Sequence, residues 1–140
     1  MSTEYFVEAV HQEGMRFLSR VGQHLVTMDY PLKIDDPGAG PSPMEMLLAS
    51  LASCAGGTVA ALLRRAGQSV EALKVTARGA RRTEHPTVFT EIALEFIVQG
   101  HVDPAVVSQA LEQAETRVCP VWAMLRPSTP IRSSFRIEGA

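Results

Sequence analysis

The chain has 140 residues, of which 46% are hydrophobic and 20% charged, so it can bury one core but is too short for two ordinary domains. A formal net charge of -2 and an aromatic content of 6% offer no general attraction to nucleic acid or to anionic membranes. Because no basic segment followed by an apolar one opens the chain, we expect a single cytoplasmic domain over residues 1–140.

Three short apolar runs come first, separated by turns that contain Gly14 and Gly22. They predict an antiparallel meander of three strands, at residues 5–10, 15–21 and 24–29. Residues 31–43 are rich in proline and glycine and include Asp35 and Asp36, so this segment is predicted to be a loop.

A helix is predicted to begin with the run Ser42-Pro43-Met44-Glu45, which has the capping-box pattern. It should continue to about Arg65 and stop at Gly67, a typical helix-ending residue. Its middle is apolar or small on every side, which is typical of a helix enclosed by other structure. Polar residues and glycines interrupt the apolar run, which favours a buried globular helix over a membrane span.

The second half of the chain predicts two long strands, a helix, a short helix and a last strand. In the second strand, apolar residues alternate with Glu91 and Glu95, which predicts one packed and one polar face. The expected elements are strands at 70–82 and 87–99, helices at 104–117 and 120–125, and a strand at 131–137. The grouping of strands and helices indicates an α+β fold.

The two cysteines are the residues most able to carry chemistry. Cys54 lies in the predicted central helix, either as a small hydrophobic packing residue or as a reactive thiol. The adjacent Gly56 and Gly57 favour close approach of a substrate or of another chain. Cys119 precedes Pro120 at a helix start, where backbone N–H groups favour a thiolate, so local physics makes Cys119 the readier thiolate. A simple packing role for Cys119 is equally open.

A reactive Cys54 in apolar surroundings needs a cation from another segment to stabilise its thiolate. The candidates are Arg16, Arg20, Lys33 and Arg126. Glu45 is a candidate supporting acid, although its capping-box position explains it without catalysis.

No metal or cofactor is expected. The cysteines are 65 residues apart (119 − 54), which excludes a CxxC motif, and the four histidines are scattered. Phosphate-binding, nucleophile-elbow and zinc-protease motifs do not occur in the sequence.

The run Gly40-Pro-Ser-Pro-Met-Glu-Met-Leu-Leu-Ala-Ser-Leu-Ala-Ser-Cys54 resembles the first cysteine motif of the OsmC/Ohr family. The run Val118-Cys119-Pro120-Val121 resembles its second motif. The Pro-Met-Glu-Met start is similar to that of an OsmC-like branch of the family.

The resemblance implies an intertwined homodimer in which antiparallel sheets surround a buried central helix that carries Cys54. It implies that Cys54 attacks a hydroperoxide and that Cys119 resolves the product to a disulfide, which an external dithiol reduces in oxidative-stress defence. The alternative is a dimer of the same fold that senses redox state or binds an apolar ligand without turnover. Neither nucleic acid nor a membrane is expected as a partner.

Two positions depart from the family's peroxidases. There a glutamate directly follows the helix-opening proline and holds a catalytic arginine, whereas this chain has Met44 at that position and Glu45 one residue later. A shift of one residue rotates a side chain by about 100° around a helix. Among the cations, Arg16 from the N-terminal strands and Lys33 from the loop remain the candidates for the partner of Cys54.

Overall fold

The computed structural model of the chain describes residues 2–31 and 33–139. Its contacts divide the chain into two compact units, residues 1–47 and 48–140. The elements in order are β1 (Val7–His11), β2 (Phe17–Val21), β3 (His24–Met28), α1 (Pro43–Arg65), β4 (Ser69–Arg81), β5 (Phe89–His101), α2 (Pro104–Gln113), a π-helical turn (Ala114–Val118), α3 (Pro120–Leu125) and β6 (Ile131–Glu138).

The first unit contains the predicted meander. Strands β1, β2 and β3 form an antiparallel sheet in that order. The turns use Gly14 and Gly22 with φ of +55° and +62°, a conformation that a side chain would strain. Every residue of β1 is exposed in the single chain, and Ser19 is the one buried residue of the three strands. This sheet therefore presents apolar side chains, such as Val10 and Leu25, without cover from its own chain.

Helix α1 begins and ends where the sequence predicts. Ser42 Oγ accepts from the Glu45 backbone N–H at 3.2 Å, and Glu45 Oε1 accepts from the Ser42 N–H at 2.9 Å, which completes the capping box. At the other end Gly67 has a φ of +75°, and its N–H donates to Arg64 O at 3.0 Å. The prediction that both ends are encoded locally is confirmed.

The prediction that α1 is enclosed on every side is not met within the single chain. By length and composition alone α1 is apolar enough to span a membrane. Within the single chain, 22% of its most apolar 18-residue window is buried. One face is buried; its residues are Leu51, Ala55, Gly56, Val59 and Leu63. The rest of the helix surface is half-buried or exposed because residues of the same chain cover one side only.

The second unit has a sheet in the order β4, β5, β6. Strands β4 and β5 are antiparallel, as predicted, but β6 runs parallel to β5. The expectation of purely antiparallel sheets is therefore wrong for β6. The helical segment between β5 and β6 returns the chain to the starting end of β5, and such a crossover makes the two strands parallel.

The alternation predicted for β5 is confirmed over its centre. Ile92, Leu94, Phe96 and Val98 are each at most 1% exposed, and they face the core of the second unit. On the opposite face Glu91 pairs with Arg132, and Glu95 pairs with Arg136 at 3.3 Å. Val88 and Thr90, which continue the same sequence alternation toward the start of the strand, are exposed.

Helix α2 ends four residues earlier than predicted. It gives way to the π-helical turn Ala114–Val118, in which the Cys119 N–H donates to Ala114 O at 3.0 Å. One residue is thereby inserted into the normal helical pattern, and such insertions are frequent at functional sites. Asp103 caps the start of α2 by accepting from the Ala105 N–H at 2.9 Å, as the sequence indicates.

Candidate functional site

Cys54 lies in the fourth turn of α1 and is half-buried. Its helical neighbours Leu51 and Ala55 are buried and apolar. The Thr58 hydroxyl, on the same side, donates to the Cys54 backbone carbonyl at 2.8 Å. That hydroxyl is therefore used by the helix backbone, and the surroundings of the thiol within α1 are apolar.

Cys119 occupies the junction between the π-helical turn and α3. It is the residue before the first turn of α3, with an extended backbone and with Pro120 at the first helical position. Its carbonyl accepts from the Ala123 N–H at 3.0 Å. Cys119 is 1% exposed, so its side chain points into the core of the second unit.

The fold brings the two thiols together. Cys54 from α1 lies against the Cys119 thiol and contributes to raising the pKa of Cys119. Both cysteines are free rather than joined in a disulfide. Contact between two thiols is the first requirement for a disulfide between them.

Burial raises the pKa of the Cys119 thiol above its ordinary value of 9.0. The backbone N–H groups of Trp122 and Val121 oppose this effect, while the neighbouring Cys54 thiol adds to it. The expectation that Cys119 is the readier thiolate is therefore wrong. The favourable helix start is present, but the loss of hydration at a fully enclosed sulfur outweighs it.

Trp122 anchors α3 and thereby fixes Cys119. Its ring is fully buried and stacks on Phe96 of β5, with centroids 6.5 Å apart and planes 12° apart. An indole of this size dominates the packing where it is buried. Its Nε1 has no hydrogen-bond partner among the residues that the structure describes.

The candidate cations lie in the first unit or at the surface. Arg16 precedes β2; its Nη2 donates to Glu13 Oε1 at 3.1 Å, and its Nε lies 3.7 Å from Asp29 Oδ2. The side chain of Arg16 is 35% exposed. Lys33 is exposed in the loop and Arg20 is exposed on β2. Arg126, at the end of α3, donates to the Glu115 carbonyl at 2.8 Å.

Glu45, the supporting acid expected from the sequence, has its carboxylate hydrogen-bonded to Ser42 in the cap of α1. Hydrogen bonds from the Ser42 backbone and hydroxyl hold the pKa of Glu45 below its ordinary value of 4.5. The acid that contacts Arg16 from the loop is instead Asp29, at the end of β3. Sequence reasoning missed this residue. The sequence feature that could have identified it is an aspartate at the point where β3 leads into the proline-rich loop.

An open groove of about 390 Å³ lies between α1 and β4 in the second unit. Gly56 packs on Val75, since a Cβ at Gly56 would lie 2.9 Å from Val75 Cγ2. A Cβ at Gly57 would meet no atom within 4 Å. Small and apolar residues line the groove: Ala52, Ser53, Gly56, Gly57, Ala60, Leu73 and Val75.

The described residues include no group of three or more histidine, cysteine, aspartate or glutamate side chains that could hold a metal ion. The chemistry that the geometry can support therefore centres on the two neighbouring thiols, for which a reversible dithiol–disulfide change is the simplest reaction.

Comparison with known proteins places this arrangement in a family. A family model described as "OsmC-like protein" matches residues 35–134. The chain belongs to the OsmC-like family. The resemblance carried by the two cysteine motifs is thereby confirmed. Membership in the OsmC/Ohr family associates the chain with peroxide and redox stress.

Relatives match this OsmC-like chain over most of its length. Protein YhfA of Escherichia coli (strain K12) is 32% identical over 130 residues, which are 91% of this chain and 94% of that protein. The crystal structure of a hypothetical protein from Aquifex aeolicus VF5 is 29% identical, covers 99% of both chains and has a TM-score of 0.88.

A more distant OsmC/Ohr structure shares the fold alone. The organic hydroperoxide resistance protein from Elizabethkingia anophelis has a TM-score of 0.74 at 19% identity, over 99% of this chain and 100% of that one.

Proposed function

We propose that the protein reduces organic hydroperoxides with the Cys54 and Cys119 thiols, using an external dithiol as reductant. The observation that carries the proposal is the contact between the two thiols, which lie 65 residues apart in sequence (119 − 54) but side by side in the fold. A thiol pair in contact can form a disulfide after one member has been oxidised.

The reaction proceeds in three balanced steps. The Cys54 thiolate attacks the outer peroxide oxygen and the O–O bond breaks, so that Cys54 becomes a sulfenic acid; the alkoxide takes a proton from solvent and leaves as an alcohol. The Cys119 sulfur then attacks the Cys54 sulfur; the S–S bond forms, the S–O bond breaks, and water leaves with the thiol proton. An external dithiol reduces the disulfide by exchange and is itself oxidised to a disulfide.

Exposure supports this assignment of roles. Cys54 is half-buried and can meet a substrate, whereas Cys119 is 1% exposed. Because burial raises the pKa of Cys119, this thiol keeps its proton at neutral pH and is a poor first nucleophile. A buried thiol next to the oxidised sulfur is suited to the resolving step.

The apolar surroundings of Cys54 favour an organic hydroperoxide over hydrogen peroxide. Burying an alkyl group against Leu51 and Ala55 contributes roughly 0.8 kcal/mol for each CH₂ group. The structural neighbour from Elizabethkingia, which is named for organic hydroperoxide resistance, supports the same substrate class. Equal catalytic efficiency toward cumene hydroperoxide and hydrogen peroxide would contradict this preference.

The chain acts as a cytoplasmic homodimer in this proposal. The exposed apolar residues of the first sheet, the open groove and the uncovered side of α1 are surfaces that a second copy would bury. Gly57, with no atom within 4 Å of its Cβ position, would permit close approach of that copy.

Arg16 is the stronger of the two candidate cations for the Cys54 thiolate. It is favoured over Lys33 because its guanidinium is half-buried and is held by two carboxylates, whereas Lys33 is exposed. A planar guanidinium can also bind the thiolate and the peroxide at once, which an ammonium group cannot do in the same geometry.

Repeated turnover distinguishes a hydroperoxide reductase from the alternative, a redox-sensing protein of the same fold. With dithiothreitol present, wild type should consume many equivalents of cumene hydroperoxide, and Cys54→Ser should consume none beyond the uncatalysed rate. If wild type instead forms one Cys54–Cys119 disulfide per chain and then stops while excess dithiol remains, the protein is a redox sensor rather than a peroxidase.

A further inference from the structure

The π-helical turn before α3 sets the position of Cys119 in the second unit. The turn spans Ala114–Val118 and closes with the bond from the Cys119 N–H to Ala114 O at 3.0 Å. Both residues of this bond are buried, since Ala114 is 0% and Cys119 1% exposed. In an ordinary α-helix the same N–H would donate to the next carbonyl along the chain, Glu115 O. The π-helical register therefore determines the direction in which the Cys119 side chain points.

This register leaves the Glu115 carbonyl without a backbone donor. Its α-helical partner would be the Cys119 N–H, which donates to Ala114 O instead. Its π-helical partner would be Pro120, which has no N–H. A carbonyl at this position has to find a partner outside the helical pattern or in water.

Arg126 supplies the missing donor. Its Nη1 donates to Glu115 O at 2.8 Å, across 11 residues of the chain. The Arg126 backbone N–H donates to Trp122 O at 2.9 Å, so Arg126 is also held by the last turn of α3. Trp122 in turn is fully buried. The guanidinium thus joins the end of α3 to the π-helical turn, and Cys119 lies in the chain between the two joined points.

The bond from Arg126 favours the π-helical register over the α-helical one. If Glu115 O were free, it would compete with Ala114 O for the Cys119 N–H, and one residue would be lost from the turn. A shift of one residue rotates a side chain by about 100° around a helix. Such a rotation would turn the Cys119 thiol away from Cys54, which it contacts in the structure.

We propose that Arg126 is a positioning residue for the resolving step. Its bond to the Glu115 carbonyl keeps the π-helical turn intact, and the turn keeps the Cys119 thiol against Cys54. The inference rests on the proposed function in one respect, that Cys119 resolves the oxidised Cys54. Arg126 touches neither sulfur in this scheme, and its exposed side chain acts through the carbonyl of the turn.

Arg117 provides the matched control. It lies in the same π-helical turn, carries the same charge and is exposed. Its change to methionine removes a cation and shortens the side chain, as Arg126→Met does. A difference between the two variants therefore reports the bond to Glu115 O and not the loss of a positive charge from this part of the surface.

The experiment follows the release of thiopyridone from one equivalent of dithiodipyridine added to the reduced, full-length protein. The Cys54 thiolate attacks the S–S bond of the reagent and forms a mixed disulfide, and the first thiopyridone leaves with a proton from solvent. The Cys119 sulfur then attacks the Cys54 sulfur and forms the protein disulfide, and the second thiopyridone leaves with the thiol proton. Cys119→Ser should give the first release alone, which assigns the two phases.

Arg126→Met should leave the first phase unchanged and slow the second by about tenfold, because the Cys119 thiol is displaced from Cys54. Arg117→Met should match wild type in both phases. Arg126→Lys keeps a donor on a long side chain and should recover part of the second phase. Arg126→Gln, with a shorter side chain, is the second variant in case the methionine protein does not fold, and it should also slow the second phase alone.

A second phase at the wild-type rate in Arg126→Met, or an equal slowing in Arg117→Met, would overturn the proposal. So would an equal slowing of both phases, which would indicate a general loosening of the second unit. Because the reagent is not a peroxide, a wild type that shows both phases but never turns over hydroperoxide refutes the proposed function and not the role of Arg126.

Discussion

Gly56 of α1 and Val75 of β4 are packed so closely that a Cβ on the glycine would lie 2.9 Å from Val75 Cγ2. A glycine inside a helix costs about 1 kcal/mol relative to alanine, so this close contact accounts for its presence here. The same strand thereby holds the helix turn that follows Cys54.

Gly56→Ala should lower the free energy of unfolding by about 1 kcal/mol, because overpacking outweighs the gain in helix propensity. Urea unfolding followed by circular dichroism measures the change. Val75→Ala introduced into the same protein should recover part of the loss. A Gly56→Ala protein more stable than wild type would show that the contact relaxes freely.

Gly57→Leu should weaken self-association rather than the fold. The position has open space in the single chain, and leucine is the better helix former, so the isolated subunit should not be destabilised. Sedimentation velocity should show a dimer for wild type and a larger monomer fraction for the variant. Ala105→Leu, at an exposed position of α2, is the control for a similar increase in size. Equal dimer fractions in all three proteins would contradict a dimer interface at the groove.

Alkaline pH should destabilise the protein through Cys119. Because burial raises the pKa of this thiol above 9.0 in the folded state, its contribution to stability is fully present below the unfolded value. That contribution is lost as the pH rises through the folded pKa. The free energy of unfolding should therefore fall less in Cys119→Ala than in wild type between about pH 8 and pH 10.5. Cys54→Ala should keep most of this loss of stability at alkaline pH, since burial is the largest cause of the raised pKa of Cys119. If Cys119→Ala lost as much stability as wild type over this range, Cys119 would not be its origin.

Glu45 should matter for stability at acid pH and not for catalysis. Its pKa is lowered from 4.5 by the Ser42 backbone N–H, so its stabilising effect is present above that value and is lost as the pH falls through the folded pKa. Glu45→Gln keeps the acceptor oxygen and should retain hydroperoxide turnover at neutral pH while losing this acid-side dependence. Ser42→Ala should cost about 1 kcal/mol. A large loss of turnover in Glu45→Gln would restore Glu45 as a functional acid.

The parts of the fold that could be predicted are those encoded by neighbouring residues. Ser42 and Glu45 define the start of α1 and Gly67 its end, since capping depends on three or four residues. The alternation in β5 likewise gives its packed face. The parallel pairing of β6 could not be derived in this way, because it depends on how the chain returns after α2.

In the candidate site, too, the sequence predicts what neighbouring residues determine and not what depends on the folded chain. The cysteines were identified from the sequence, but their pairing came from the family resemblance, because no local pattern connects residues 65 positions apart. The raised pKa of Cys119 follows from burial in the finished fold, so the helix-start argument alone gave the wrong sign. The contact between Asp29 and Arg16 depends on the path of a proline-rich loop, which composition does not determine.

Counting thiols in a single turnover tests the central claim most directly. Adding one equivalent of cumene hydroperoxide to the reduced protein, without a reductant, should remove both thiols of the chain and yield a Cys54–Cys119 disulfide that dithiothreitol reverses. Cys119→Ser should lose one thiol and accumulate a sulfenic acid at Cys54, which a dimedone adduct detects. Consumption of the hydroperoxide by Cys54→Ser at the wild-type rate would contradict the proposal.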